Sequence, residues 1–494
     1  MQPSIAEIRD RFDLNEYRRI PVWRSLYADE FTTIEVMRRL RGAGKHCFLL
    51  ESAGLDESWG RYSFLGYEPL MDITCEDGHV VITKKSEDGQ LEKTETHVDH
   101  PGKILRQVLS DYKSPVIEEL PPFTGGLVGY FSYDYIKYSE PKLKLSADTD
   151  FKDLDLMLFN EVIAFDHYRQ RVYLITGIGS DNLEQDYLAA EKKLRVMEEL
   201  IRNGEKAQFP PLRLDEPLTP KFSEERYCNM VERAKSYIYD GDIFQVVLSN
   251  PLRAKAEGSL FDTYRVLRAA NPSPYMFYFS SEDIELAGAS PETLVKLEDG
   301  KLFTFPLAGT RPRGADAAED EALIKDLLSD EKERSEHNML VDLGRNDIGK
   351  ISDIGTVNVE EYMQILKFSH VMHIGSTVTG QIKEGKDAVD AVDAILPAGT
   401  LSGAPKFRAC QIIEELEESR RGIYGGAVGY LDLAGNLDIC IAIRLVYKKN
   451  GEITVRSGAG IVADSVPKSE YQESLNKARA VTLAIETAEG GLES

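Results

Sequence analysis

Apolar positions recur along the 494-residue chain with both periods that mark regular structure, about 3.6 for a helix with one buried face and 2 for a half-buried strand. Residues 33–41 and 186–202 carry the helical period, and short runs such as 80–84 and 161–165 read as strands. From Ser223 a further helix is predicted, with Met230, Ala234, Tyr237 and Ile238 as its apolar stripe and Gly241 as its stop. The strand expected next, 243–248, sets Phe244, Val246 and Leu248 on one face and Ile243, Gln245 and Val247 on the other. Another strand is read over 439–445, where Ile439, Ile441, Ile443 and Leu445 share one face and Cys440, Ala442 and Arg444 the other. Near the end, Ser469 and Gln472 stand in capping-box spacing ahead of a stripe of Tyr471, Leu475, Ala478, Val481 and Ile485. Glu470, Glu473 and Lys477 form the polar stripe beside it.

Helices and strands alternate throughout, which the pattern alone leaves compatible with a parallel or an antiparallel sheet. Pro210, Pro211, Pro217 and Pro220 fall in one short polar stretch, and the chain is divided there into residues 1–209, a linker 210–222 and residues 223–494. A hexapeptide, Gly125-Gly126-Leu127-Val128-Gly129-Tyr130, is echoed as Gly425-Gly426-Ala427-Val428-Gly429-Tyr430. A strand entered through a tight glycine turn and used twice accounts for the echo, and a duplication would require more than one shared hexapeptide.

Composition removes whole classes of function. A net charge of −24 repels phosphate backbones and anionic lipid, so neither nucleic acid nor a membrane surface is an expected partner. No run approaches the roughly 20 apolar residues of a membrane helix, and residues 1–13 carry charges where a signal peptide is apolar, so a cytoplasmic location is expected. The cysteines, Cys47, Cys75, Cys228, Cys410 and Cys440, are scattered without a Cys-x-x-Cys pair and read as core filler.

Glu333 with Glu336, and Glu470 with Glu473, are spaced to share one helix face each. Either pair alone reads as a solvated helix face. Four carboxylates from two helices, without clustered His or Cys, favour a hard cation such as Mg²⁺. Arg444 among small neighbours suits a bidentate grip on a carboxylate, though a buried structural ion pair has the same pattern. Glycine turns are expected at 307–314 and 457–460, where backbone N–H groups can approach a ligand; neither fits the Gly-x-Gly-x-x-Gly of a dinucleotide site. Pro405 is placed as the first residue of a helix whose N-terminus could face an anion. His370 and His373 lack a third ligand at zinc spacing, and a histidine in such an apolar strand is commonly a satisfied core residue.

Four blocks in this order carry a resemblance: Pro306-Leu-Ala-Gly-Thr-Arg-Pro-Arg-Gly314, Glu336-His-Asn-Met-Leu-Val-Asp-Leu-Gly-Arg-Asn-Asp347, Pro397-Ala-Gly-Thr-Leu-Ser-Gly-Ala-Pro-Lys406 and Gly458-Ala-Gly-Ile-Val-Ala-Asp-Ser465. With them nearly the whole chain resembles the chorismate-utilising enzymes. The resemblance implies an α+β fold of large antiparallel sheets packed together with helices outside. It also implies a reaction in which ammonia adds at C2 of chorismate as the C4 hydroxyl leaves, and the enolpyruvyl ether is then eliminated as pyruvate to give anthranilate, the first step of tryptophan biosynthesis. Carried over position by position, Glu336 and Glu473 hold Mg²⁺, with Glu333 and Glu470 acting through waters. Arg444, Lys477 and the backbone of Gly458, Ala459 and Gly460 take the substrate's carboxylate charge, and Tyr424, Gly309 and Thr310 complete the pocket. Glu292 is the candidate general acid; His373 and Thr400 orient the substrate, with His373 a candidate for the proton of the elimination.

Two positions separate branches of the family. Gln245 stands where isochorismate- and salicylate-forming members typically carry a lysine base, and Ala308 where aminodeoxychorismate-forming members, the alternative reading, typically carry a lysine nucleophile. No Gly-x-Cys-x-Gly amidotransferase turn is present, so a separate glutamine amidotransferase subunit is expected to supply ammonia, within a heterotetramer. The resemblance further places feedback tryptophan at Ser52 and at Pro274, Tyr275 and Met276, within residues 1–209 and the start of the catalytic region; tryptophan as a purely structural filling is the other reading. A non-catalytic tryptophan sensor would be expected to have lost at least one of Glu292, Glu336, His373, Arg444 or Glu473, and all are present.

Overall fold

The computed structural model describes residues 1–52, 60–85, 90–145, 151–367 and 371–492. Among them the strands form two sheets, of thirteen and twelve strands. Neighbouring strands run antiparallel, which decides what the alternation of elements left open.

The first sheet sets Cys47–Glu51 beside Tyr275–Ser280, followed by Ile284–Ser290, Leu445–Lys449, Glu452–Ile461 and Gln245–Glu257. The second runs from Leu307–Pro312 through Val371–Gln381, Lys301–Thr304, Thr293–Glu298, Leu437–Ile441 and Ala427–Asp432 to Gly126–Phe131 and beyond. Both sheets draw on both sides of the proline-rich stretch: Glu51 is paired with Met276 in one and Gly129 with Gly429 in the other. Residues 210–222 themselves add two short strands, Arg213–Leu214 and Thr219–Pro220, along Gln245–Glu257.

Large apolar side chains fill the space between the sheets. Phe48 of the first meets Phe159 of the second edge-to-face at 4.7 Å, within a cluster that includes Phe64, Phe123, Tyr130, Phe277 and Cys440. The outer face of the first sheet is covered by Thr33–Ala43, Phe261–Ala270 and Pro467–Ala488, and that of the second by Gly102–Asp111 and Ala388–Ile395. The result is helices, sheet, sheet, helices. All five cysteines are free and four are buried, as filler would be. No helix among the described residues is long and apolar enough to cross a membrane.

The glycine echo has a physical cause. Its two copies are adjacent strands, and a Cβ at Gly129 or Gly429 would lie 2.0 Å or 2.2 Å from the backbone oxygen of Asp155 or Asp438. Close backbone approach on both strands excludes any side chain there.

Several boundaries differ from the sequence reading. The run 439–445 is not one strand: Leu437–Ile441 ends in the second sheet and Leu445–Lys449 begins in the first, so Arg444 lies on the crossover between them with φ at +53° and shares no strand face with Cys440. A period of two passed unbroken through two strands of different sheets. The expected glycine turns are strands as well, Leu307–Pro312 with a bulge at Gly309 and Glu452–Ile461 without one. Gln245 opens its strand, leaving Phe244 outside and 79% exposed, while Val246 and Leu248 bury against Glu224–Tyr239. The last helix starts at Pro467 rather than from a cap at Ser469, and Pro405 precedes Lys406–Glu417 instead of opening it.

Candidate active site

Two places where the chain passes from one sheet to the other lie side by side and build the centre of the site. One, after Ile284–Ser290, carries Glu292; the other, after Leu437–Ile441, carries Arg444. They are stitched together: Ile441 N–H donates to the Glu292 carbonyl (2.9 Å), the Ser290 hydroxyl to the Ile441 carbonyl (2.7 Å), and Ala289 N–H to the Arg444 carbonyl (3.1 Å). Residues far apart in sequence are thereby fixed on one rigid seam.

Burial pushes the Glu292 carboxyl up to about 7, against the pull of a hydrogen bond from the Thr400 hydroxyl (3.1 Å) and the charge of Lys477. Thr400 is held on a one-turn helix, Gly399–Ser402. The Arg444 guanidinium donates to the Lys477 carbonyl (3.1 Å), which ties the crossover to the last helix. Loss of hydration lowers its pKa, with the Tyr424 phenol opposing. Tyr424 is buried, its ring 5.6 Å from the Arg421 guanidinium and 6.0 Å from that of Arg456.

Gly458, Ala459 and Gly460 face Ser249, Leu248 and Val247 on the neighbouring strand. A Cβ at Gly458 would lie 2.3 Å from the Leu248 oxygen, whereas one at Gly460 meets nothing within 4 Å. Gly309 takes the bulge with φ at +67°, where a Cβ would come within 3.2 Å of a Glu333 carboxylate oxygen. Thr310 is paired with His373, whose Nδ1 lies 2.9 Å from the Gly309 carbonyl and 3.1 Å from the Thr310 hydroxyl. A ring nitrogen facing a carbonyl carries the proton, so Nε2 is the basic nitrogen, and burial lowers the ring's pKa to keep it neutral. His370 lies outside the described residues.

The helices Glu331–Gly349 and Pro467–Ala488 bring the four glutamates into one field. Loss of hydration raises the Glu336 carboxyl, and repulsion from Glu333 and Glu473 raises it further; Glu470 is raised by burial and by Glu473 in turn. Glu473 is paired with Lys477 (2.7 Å) and Glu333 with Arg311 (3.3 Å). No three His, Cys, Asp or Glu side chains among the described residues are close enough to close a metal centre by themselves. The donor chemistry still fits Mg²⁺: an all-oxygen, mutually repelling set suits a cation that keeps several of its waters.

Sequence reasoning missed the support behind the pocket. Glu417, fully buried, accepts from Arg421 (2.7 Å) and Arg456 and from the Ser249 amide (2.8 Å), while Arg421 also reaches the carbonyls of Leu401 and Val247 (2.6 Å each). Glu417 and Arg421 stand four apart, a spacing too common to signal anything by itself. A second pair, buried Asp347 with half-buried Lys406 (2.8 Å), was equally silent although both residues lie in blocks that carry the resemblance.

The residues expected to bind tryptophan also converge. Pairing of Glu51 with Met276 sets Ser52 next to Pro274–Met276, and the buried Ser52 hydroxyl has no hydrogen-bond partner among the described residues. Met276 packs in the cluster under the outer helices, whereas the Tyr275 hydroxyl reaches Asp438 of the second sheet (2.8 Å).

A family model described as chorismate binding enzyme matches residues 46–483. Anthranilate synthase component 1 of Acetivibrio thermocellus is 42% identical over 495 residues, covering 98% of this chain and 99% of that protein. The protein of the same name from Pseudomonas aeruginosa is 43% identical over 504 residues, with coverage of 98% and 99%. The crystal structure of anthranilate synthase component I from Streptococcus pneumoniae superposes with a TM-score of 0.74 at 39% identity, over 86% of this chain and 92% of that one.

Proposed function

We propose, from the premise that the chain belongs to the chorismate binding enzyme family, that it converts chorismate and ammonia to anthranilate and pyruvate in tryptophan biosynthesis. The observation that carries this reading is the Glu292 carboxyl at about 7, enclosed beside Thr400 and within the field of Lys477. A carboxyl still protonated near neutral pH is what a hydroxide-like leaving group requires.

The substrate's negative charge is drawn to Arg444 and Lys477 in a molecule that otherwise repels anions. Glu292 gives its proton to the C4 hydroxyl, which departs as water while the ammonia lone pair forms the bond to C2 and the ring double bonds shift. His373, neutral with Nε2 basic, takes the C2 proton; the bond between ring C3 and the enolpyruvyl oxygen then breaks, the departing enolate takes that proton from His373 at its methylene carbon and leaves as pyruvate, and the ring becomes aromatic. Thr400 fixes the Glu292 carboxyl. Mg²⁺, held by Glu336 and Glu473 with Glu333 and Glu470 through waters, would neutralise a substrate carboxylate. Gln245, buried at the start of its strand, offers no base to deprotonate water, and Ala308, beside the Gly309 bulge, offers no nucleophile. Both favour amination that ends at anthranilate over hydroxylation or aminodeoxychorismate formation.

Ammonia is expected from a glutamine amidotransferase subunit in a cytoplasmic heterotetramer, since this chain carries no nucleophile turn of its own, and tryptophan is expected to inhibit through Ser52 and Pro274–Met276. The test is the purified chain with chorismate, Mg²⁺ and an ammonium salt, followed by anthranilate fluorescence. Product should form from ammonia and not from glutamine alone. Absence of anthranilate, or accumulation of aminodeoxychorismate, would overturn the reading.

A further inference from the structure

The Thr400–Glu292 contact depends on a helix of four residues, Gly399–Ser402, which is too short to be stable on its own hydrogen bonds. Something outside it must hold its first turn. Arg421 holds its Leu401 carbonyl (2.6 Å), and the Asp347 carboxylate, 7% exposed, holds its leading residue: one oxygen accepts from the Gly399 N–H (3.4 Å), and the other from the ammonium groups of Lys406 (2.8 Å) and Lys350 (3.1 Å). Lys406 is locked in turn by the Ile395 carbonyl (2.8 Å). The half-buried Lys406 ammonium holds the Asp347 carboxylate in place. Asp347, Gly399, Thr400 and Glu292 also line one small cavity of about 30 Å³, so the anchor and the acid border the same space.

We propose that Asp347, held by Lys406, is a positioning residue: it fixes the one-turn helix Gly399–Ser402 so that the Thr400 hydroxyl meets the Glu292 carboxyl. This rests on the reading of Glu292 as the general acid. Burial raises the Glu292 carboxyl, and the two groups that oppose it, the Thr400 hydroxyl and Lys477, both favour the charged form. Losing the Thr400 bond therefore raises the carboxyl's pKa, whether the hydroxyl is deleted or displaced.

The experiment compares Asp347→Ala, Lys406→Met, Thr400→Val and the double variant Asp347→Ala/Thr400→Val with wild type, using ammonia as the nitrogen source. Asp347→Ala and Thr400→Val should each lower kcat about tenfold, the worth of a hydrogen bond to a charged group, with KM for chorismate changed less than about twofold. The double variant should be no slower than Thr400→Val, because both changes remove one contact. Asp347→Asn, which keeps acceptor atoms, should recover part of the loss. Should Asp347→Ala fail to fold, Lys406→Met carries the same expectations. The Glu292 carboxyl is also titrated directly, by the infrared band that disappears in Glu292→Gln; its midpoint should rise in Asp347→Ala and Thr400→Val alike. Multiplicative losses in the double variant, or an unmoved carboxyl midpoint, would overturn the positioning role. Failure of wild type to form anthranilate would instead overturn the proposed reaction, while the infrared titration still decides the link.

Discussion

The Tyr275 hydroxyl lies 2.9 Å from the hydroxyl of Thr293, and Thr293 directly follows Glu292 in the chain. The same phenol reaches Asp438 (2.8 Å), whose carboxyl burial pushes up to about 6. Tyr275 neighbours Ser52 across two paired strands, so the proposed tryptophan site and the proposed acid are separated by one buried hydrogen bond and one peptide unit. An effector that moves Tyr275 must carry Thr293 with it or break that bond. Either changes where the Glu292 carboxyl sits without touching chorismate.

Ser52→Arg, which drives a charged side chain into the space around a buried hydroxyl, should raise the tryptophan concentration for half inhibition by about tenfold or more, and Met276→Ala should act in the same direction. Tyr275→Phe should differ from both, with calorimetric tryptophan binding retained and inhibition lost. Each titration is read against the variant's own uninhibited rate. Inhibition that stays at the wild-type level in all three variants would remove this group of residues from any regulatory role.

Glu292 links activity and stability with opposite signs. Its carboxyl titrates at about 7 in the fold against 4.5 for the unperturbed group. Between those values the folded state keeps a proton that the unfolded state has lost, so stability falls as pH rises, and above about 7 the full penalty is in force. Glu292→Gln should therefore gain on the order of 3 kcal/mol relative to wild type at pH 8 and gain little at pH 4, while turnover drops about 100-fold or more. Thermal unfolding at the two pH values, paired with the ammonia assay, checks both halves. A variant less stable than wild type at pH 8 would contradict a buried, raised carboxyl.

Local chemistry was legible wherever one element decides it. The i, i+3 glutamates fall on the helices expected, and the stripe of Ala478, Val481 and Ile485 is buried as its period demands. The sheet count, the interleaving of the two halves and the crossovers were not legible, because antiparallel partners are chosen by contacts hundreds of residues apart, such as Glu51 with Met276. Arg444 illustrates the limit: its small neighbours suggested a strand face, yet its place comes from a change of sheet that a period of two cannot register. The Glu417–Arg421–Arg456 cluster was invisible for the same reason, since Arg456 arrives from a strand distant in sequence.

Gly458 and Gly460, two residues apart on one strand, should respond oppositely to alanine. A Cβ at Gly458 would meet the Leu248 backbone at 2.3 Å and push paired strands apart, costing about 1–3 kcal/mol of stability. At Gly460 the same atom enters open space, so the fold should be unaffected while KM for chorismate rises about tenfold as the methyl takes substrate volume. Unfolding temperature and KM measured on both variants separate the two effects. A Gly460→Ala enzyme with wild-type KM would place chorismate elsewhere.

The repulsion among the glutamates supplies the final expectation. Glu336 is raised by burial and then by Glu333 and Glu473, and Glu470 by burial and then by Glu473, so the folded chain holds these carboxylates together at a cost that a divalent cation would relieve. Mg²⁺ should raise the unfolding temperature of wild type, and Glu336→Gln or Glu473→Gln should abolish most of that rise. The effect should weaken as pH falls, since the raised carboxyls take up protons that compete with the cation. Chelation should remove ammonia-dependent turnover, and either variant should lose about 100-fold or more, because a direct ligand in so acidic a site has no substitute. Glu473 adds a second consequence: it is paired with Lys477 at 2.7 Å, and a cation bound by this carboxylate would free the ammonium for the substrate's negative charge. Chorismate binding should then tighten with Mg²⁺ in wild type and be indifferent to it in Glu473→Gln, as followed by calorimetry at fixed chorismate. Equal stabilisation by Mg²⁺ in wild type and in both variants would show that the cation binds somewhere other than between these two helices.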